Sequence, residues 1–319
     1  MIVRFWGTRG SLPVALTAAD LRERIVGALV AAAGRSLDTA EKARVFVETD
    51  LDLAVGHTFG GHSPCVELET GGGEYVLCDL GTGARSFGNR ALAKRGPANA
   101  GTFNVFMSHV HWDHIMGFPL FAPAYLQGNR IRIYGCHSRL EEAFRRQQSA
   151  PCFPVEFDAL AADVEFIKLE PGRSYEIAGM RVTPKLQLHT GDSYGYRFEA
   201  GGRAVVYSTD SEHKLDEPEK TRGFIDFFRG ADLVIFDAMY SLAEAISVKE
   251  DWGHSSNVVG VELCQLARAK TLCLFHHEPA SDDRRLLTML AEARRLEEIT
   301  RTDHRLEVIA AYDGLEIAL

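Results

Sequence analysis

No apolar run in this chain of 319 residues approaches the length of a membrane span, and the opening Met1-Ile2-Val3-Arg4-Phe5-Trp6-Gly7 lacks the apolar core of an export signal. The cytoplasm is the expected compartment, with no membrane partner. The six cysteines (65, 78, 136, 152, 264 and 273) lie singly, without C-x-x-C spacing, which speaks against a disulfide frame or a thiolate zinc knuckle. No Pro/Gly/Ser-rich linker, charge run or internal repeat divides the sequence, so residues 1–319 are expected to form one domain. A basic excess is missing too. Against 44 Asp and Glu stand only 35 Lys and Arg, a formal net charge of −9. A protein that tracks a phosphate backbone usually carries a basic face, so nucleic acid is not expected as a partner. Small phosphate-bearing substrates stay open, because a bound metal would dominate the local field.

What the chain does have is Ser108-His109-Val110-His111-Trp112-Asp113-His114, with four metal-binding side chains in six residues. Imidazole and carboxylate suit zinc and its first-row neighbours. The run follows the apolar Thr102–Met107, which reads as a buried strand. If the strand continues, His109 and His111 share a face, while Asp113 and His114 sit where the chain turns and aim at a second point nearby. One segment can thus serve two adjacent metals.

Three later segments end in the same way. Lys185–Leu188 leads to His189, Ala204–Thr209 closes on Asp210, and Thr271–Phe275 closes on His276. Ends of strands are where sites collect in layered α/β folds.

The His-x-His-x-Asp-His run, followed in order by His189, Asp210 and His276, resembles the metallo-β-lactamase superfamily of hydrolases. Phe59–Leu68, Leu77-Cys78-Asp79-Leu80-Gly81-Thr82-Gly83, the opening Val3–Ser11 and Trp252-Gly253-His254-Ser255-Ser256 resemble its phosphodiesterase branch, which includes ribonuclease Z and phosphoribosyl cyclic phosphodiesterases. The resemblance spans most of the chain apart from an insertion near residues 16–57. His62 departs from it, standing where the branch commonly has asparagine.

The resemblance implies an αβ/βα sandwich, four layers with two mixed sheets inside. It also implies two divalent ions, zinc first and manganese or iron as alternatives. His109, His111 and His189 would hold one ion, Asp113, His114 and His276 the other, and Asp210 would bridge them. His277 competes with His276, which follows directly from the strand. The implied chemistry is attack on a small cyclic or diester phosphate by a hydroxide shared between the metals, with Asp113 orienting the water and His254 protonating the leaving group. Asp79 would orient a ligand histidine. Asp192, Ser193 and Tyr194 could line the pocket or shape the turn after His189. His57, His137, His213 and His304, without a partner pattern, are expected at the surface.

Two alternatives stand beside this. One is a ribonuclease Z-like nuclease, against which the short Thr190–Thr209 interval counts, since that family carries a long tRNA-gripping arm there. The other is a thioesterase, lactonase or non-catalytic metal sensor, because fold alone does not choose chemistry.

Helical patterning is expected at 256–269 and 281–299. Within the insertion it is expected at 18–33 and from Thr39 to about Glu48, as a lid, a homodimer contact or a cover over the sandwich.

Overall fold

The computed structural model describes residues 1–96, 99–214 and 218–319. Strands β1 (Ile2–Gly7), β2 (Cys65–Glu69), β3 (Tyr75–Cys78), β4 (Thr102–Phe106), β5 (Arg130–Gly135) and β6 (Asp163–Lys168) share a sheet with β14 (Glu316–Ala318), in the order β14-β1-β2-β3-β4-β5-β6. The second sheet runs β13-β12-β11-β10-β9-β8-β7, from β7 (Tyr175–Ile177), β8 (Met180–Gln187), β9 (Ser193–Ala200), β10 (Arg203–Ser208), β11 (Leu233–Asp237) and β12 (Thr271–Phe275) to β13 (Glu307–Ala310). Each sheet has an antiparallel half and a parallel half, the parallel ladders being β3-β4-β5-β6 and β10-β11-β12-β13.

Side-chain alternation explains why the central strands read as unbroken apolar runs. In β11, Leu233 and Ile235 enter the core between the sheets, whereas Val234 and Phe236 join the outer core beneath the helices. In β12, Cys273 and Phe275 point inward, and Leu272 and Leu274 outward. A strand buried on both faces needs no polar alternation. The outer core of one sheet is closed by the helices Pro218–Phe228, Asn257–Leu266 and Asp283–Thr300, and that of the other by Gly83–Arg95 and Leu140–Gln147. The result is the expected four-layer sandwich.

Caps account for the helix starts. Ser256 accepts from the Val259 amide, and Asp282 accepts from that of Arg285 at 2.8 Å. In the insertion, Thr17 and Asp20 form a capping box for Ala18–Ala31, and Thr39 caps Ala40–Thr49. No residue of Ala18–Ala31 is buried.

One expectation about these elements needs correction. The strand before the metal-binding run stops at Phe106, and Trp112–Ile115 is a helical turn, so His109 and His111 leave from a loop rather than a continuing strand. The three-residue strands β7 and β14 were not anticipated, being too short to show a period. Among the described residues, no helix is long and apolar enough to cross a membrane.

Candidate metal centre

Every strand bordering the centre delivers its polar residue at the C-terminal end: Asp79 after β3, the His109–His114 run after β4, His189 after β8, Asp210 after β10 and His276 after β12. Three of these have left-handed backbones, with φ of 59° at Asp79, 49° at Asp210 and 60° at His276. That region disfavours side chains with a Cβ, and such strain persists where the surroundings fix it, commonly at functional sites.

The side chains converge. His109, His111 and His189 present nitrogens within 4.8 Å of one another, as do the ligand atoms of Asp113, His114 and His276. Asp210 lies between the groups. Its Oδ1 is 3.3 Å from the Nε2 of both His114 and His276, and its Oδ2 is 3.6 Å from His109 Nε2 and 3.8 Å from His189 Nε2. His277 turns away, its Nε2 bonded to the Ala311 carbonyl at 2.8 Å.

Tautomers follow from the other ring nitrogens. His189 Nδ1 donates to the Gly253 carbonyl at 2.8 Å, leaving the Nε2 lone pair facing His111 Nδ1 at 3.1 Å. His114 Nδ1 donates to Asp79 at 2.7 Å, and its Nε2 faces His276 Nε2 at 3.3 Å. His109 Nε2 is buried and has no hydrogen-bond partner. Nitrogens directed at one another at these distances, with carboxylates alongside, fit a cation. Burial, and then neighbouring imidazoles, lower the pKa of His109, His111 and His189, which favours the neutral ligand form. At His114 burial also opposes charge, yet Asp113, Asp210 and Asp79 outweigh it and hold the pKa well above the usual value. Burial likewise opposes charge on Asp113 and Asp210, but the histidines keep both ionised. This pocket demands a positive charge, as proton or metal.

Backbone brackets hold the candidate ligands. The Ser11 amide donates to Asp113 Oδ2 at 2.9 Å. A Cβ on Gly10 would come within 2.5 Å of the His276 ring, and one on Gly253 within 2.4 Å of His189 Nδ1. Both glycines are therefore required for the ligands to sit where they do. Asp79 also accepts from the Ser108 amide and hydroxyl and the Tyr207 hydroxyl, each at 2.7 Å.

His254 lies beside both groups, its ring centroid 5.0 Å from those of His189 and His276. Its Nδ1 bonds Asp237 Oδ2 at 2.8 Å. Burial opposes its charge, but Asp237 outweighs this and raises the pKa to about 9. Asp237, fully buried at the end of β11, was not singled out from the sequence. Its signal was the one shared by Asp210 and His276, a polar residue closing an apolar strand.

Other residues fall outside the centre. His62 and His57 are exposed, and His137 and His304 are half-buried. His213 is buried, contrary to expectation. It packs on Phe224, Phe228 and Phe236 beneath the helix Pro218–Phe228, where burial lowers its pKa to about 3. Asp192 shapes the turn, its amide donating to the His189 carbonyl at 3.2 Å, whereas the Tyr194 amide donates to the Ser108 carbonyl at 2.8 Å and ties β9 to the loop after β4, and Ser193 is buried.

Residues 74–277 match the beta-lactamase superfamily domain, well over half of the sequence, and the chain belongs to that superfamily. It is 25% identical over 271 residues to a ribonuclease Z from Metallosphaera sedula, covering 69% of this chain and 84% of that protein. Among solved structures it resembles the metallo-beta-lactamase fold protein YhfI from Bacillus subtilis (TM-score 0.65, 18% identity, 99% of this chain and 98% of that one). It also resembles a diphosphatase from the PhnP family (TM-score 0.58, 18% identity, 100% and 97%).

Proposed function

We propose that the chain is a metal-dependent phosphodiesterase for small cyclic or diester phosphates, working with two divalent ions, zinc first. The observation that carries this reading is the position of Asp210, one oxygen toward each of two ligand groups, with the His254–Asp237 pair beside both. His109, His111 and His189 would hold one ion, and Asp113, His114 and His276 the second. When bound, two such ions provide hydroxide at neutral pH and neutralise charge gathering on the phosphate.

The rest falls to the protein's own groups. Asp113, anchored by the Ser11 amide, orients the attacking water by accepting its proton in a hydrogen bond. Asp79 fixes the His114 ring so that Nε2 faces inward. His254 donates the proton from Nε2 to the leaving oxygen, while its Nδ1–H stays bonded to Asp237. Asp237 is a positioning residue that holds the ring and steadies its charge.

A ribonuclease Z-like nuclease is the second reading, supported by relatives of that name. Against it stand the acidic balance and the interval between His189 and Asp210, which is occupied by the tight β9–β10 hairpin. The test is a panel of bis-p-nitrophenyl phosphate, cyclic nucleotides, a ribose cyclic phosphate, a tRNA precursor, a thioester and a lactone, offered to metal-loaded protein. Turnover of the small diesters, with poor cleavage of the precursor, is expected. Specific trailer release from the precursor, with affinity falling steeply with salt, would reverse the ranking.

A further inference from the structure

The insertion helix Ala18–Ala31 turns an apolar face to solvent. Leu21, Ile25, Val26, Leu29 and Val30 share that face at helical spacing, and each is between 51% and 70% exposed. Arg22 joins them in the first half of the helix, folded back on the Ala18 carbonyl at 3.0 Å. From Ile25 to Ala33 no side chain is polar or charged. The opposite face is tied down. Gly27 lies so close to Val55 that a Cβ would come within 3.3 Å of its side chain, and Arg24 donates to the His57 carbonyl and to Asp283. The apolar face therefore stays turned outward, neither covering the sandwich nor closing on the centre.

Leu16, just before the helix, and Val45 and Val47 of the helix Ala40–Thr49 are exposed as well. With them the insertion offers a surface approaching the ~800 Å² that each partner buries in a standard interface. Charge selects the occupant. The four charged side chains of the helix, Asp20, Arg22, Glu23 and Arg24, cancel one another and sit in its first half. A lipid surface calls for a basic rim, which neither this helix nor a chain of net charge −9 supplies. A two-fold contact instead needs a patch complementary to itself. An uncharged stripe meets its own copy with no like charges opposed, and antiparallel pairing leaves the charged halves apart, at the two ends, in water.

We infer that the insertion is a two-fold contact between two copies of this chain, with the helices crossing near Leu29, the middle of the uncharged stretch. Pairing requires neither metal nor substrate, so its failure would leave the phosphodiesterase reading standing. Sedimentation equilibrium of the full chain at micromolar concentration should give twice the chain mass. Leu29→Glu sets a carboxylate opposite its own copy and should raise the dissociation constant about 100-fold or more, with metal content and circular dichroism unchanged. Val30→Leu should keep the pair.

A monomeric wild-type chain, or a Leu29→Glu variant as dimeric as the wild type, would overturn the inference. A monomer that binds phosphatidylserine vesicles, and loses them on Leu29→Glu, would overturn it in favour of a membrane surface. If Leu29→Glu does not fold, Leu29→Cys decides the matter in a Cys152→Ser background, which removes the other exposed thiol. Mild oxidation should then link two chains, and the absence of a linked pair would overturn the contact.

Discussion

The two ligand groups on either side of Asp210 differ in how they are supported. Asp113, His114 and His276 are buried, and each is braced from behind: Asp113 by the Ser11 amide, His114 by Asp79, and His276 by the close approach of Gly10. On the other side His109 is buried, with its Nδ1 3.1 Å from the Ser108 hydroxyl, but His111 is exposed and His189 half-buried, held by the carbonyl and the close approach of Gly253. One group also carries an aspartate of its own, whereas the other has only imidazoles. The deep group is preorganised and partly charge-matched; the shallow one stays open toward solvent at His111. An ion in the deep group should therefore bind more tightly and exchange more slowly.

The largest effect is expected where the groups meet. Asp210→Ala removes the carboxylate common to both, and turnover should fall to background with metal content down by at least one ion per chain, read by elemental analysis. Full metal content in that variant would mean that the two groups bind independently of Asp210.

His254→Ala comes next. It should keep both ions and lose ~10²–10⁴ in rate on an alkyl diester, but much less on the p-nitrophenyl analogue, whose leaving group departs without a proton. Equal losses on both would make His254 a phosphate-positioning group, and loss of metal would make it a ligand of the shallow side.

Asp79→Asn sharpens the contrast directly. It should weaken metal binding at the deep group, where it bonds His114 directly, ~10–100-fold, and weaken the other group less, because it reaches His109 only through the Ser108 hydroxyl, in titrations with a competing chelator. Comparable weakening of both groups would mean that the support is shared.

His213 is the control, a buried histidine outside both groups. Its folded pKa of about 3 lies below the usual 6.5, so protonation favours the unfolded chain. Stability is fully present above about pH 6.5 and is lost as pH falls toward 3, at ~1.4 kcal/mol per pH unit for one such group. His213→Phe should make that acid loss shallower in denaturant titrations while both ions remain bound.

The convergence of the His109–His114 run was readable from sequence because its information is local, four candidate ligands in six residues after an apolar strand. His189, Asp210 and His276 were readable because strands buried on both faces stand out as apolar runs, and each of these residues closes one. Asp237 carries the same mark, but only the side-by-side placement of β10, β11 and β12 brings it to His254. The brackets were out of reach for a different reason. Ser11 to Asp113 and Gly253 to His189 join residues far apart in the chain through backbone groups that every residue carries. His213 looked like a surface residue because its burial depends on a neighbouring helix, not on its own segment.

Anomalous diffraction from zinc-loaded crystals reads whether Asp210 is shared by two ions. Two peaks are expected, one among His109, His111 and His189 and one among Asp113, His114 and His276, each beside a different oxygen of Asp210. A single peak, or two peaks with Asp210 touching neither, would contradict it.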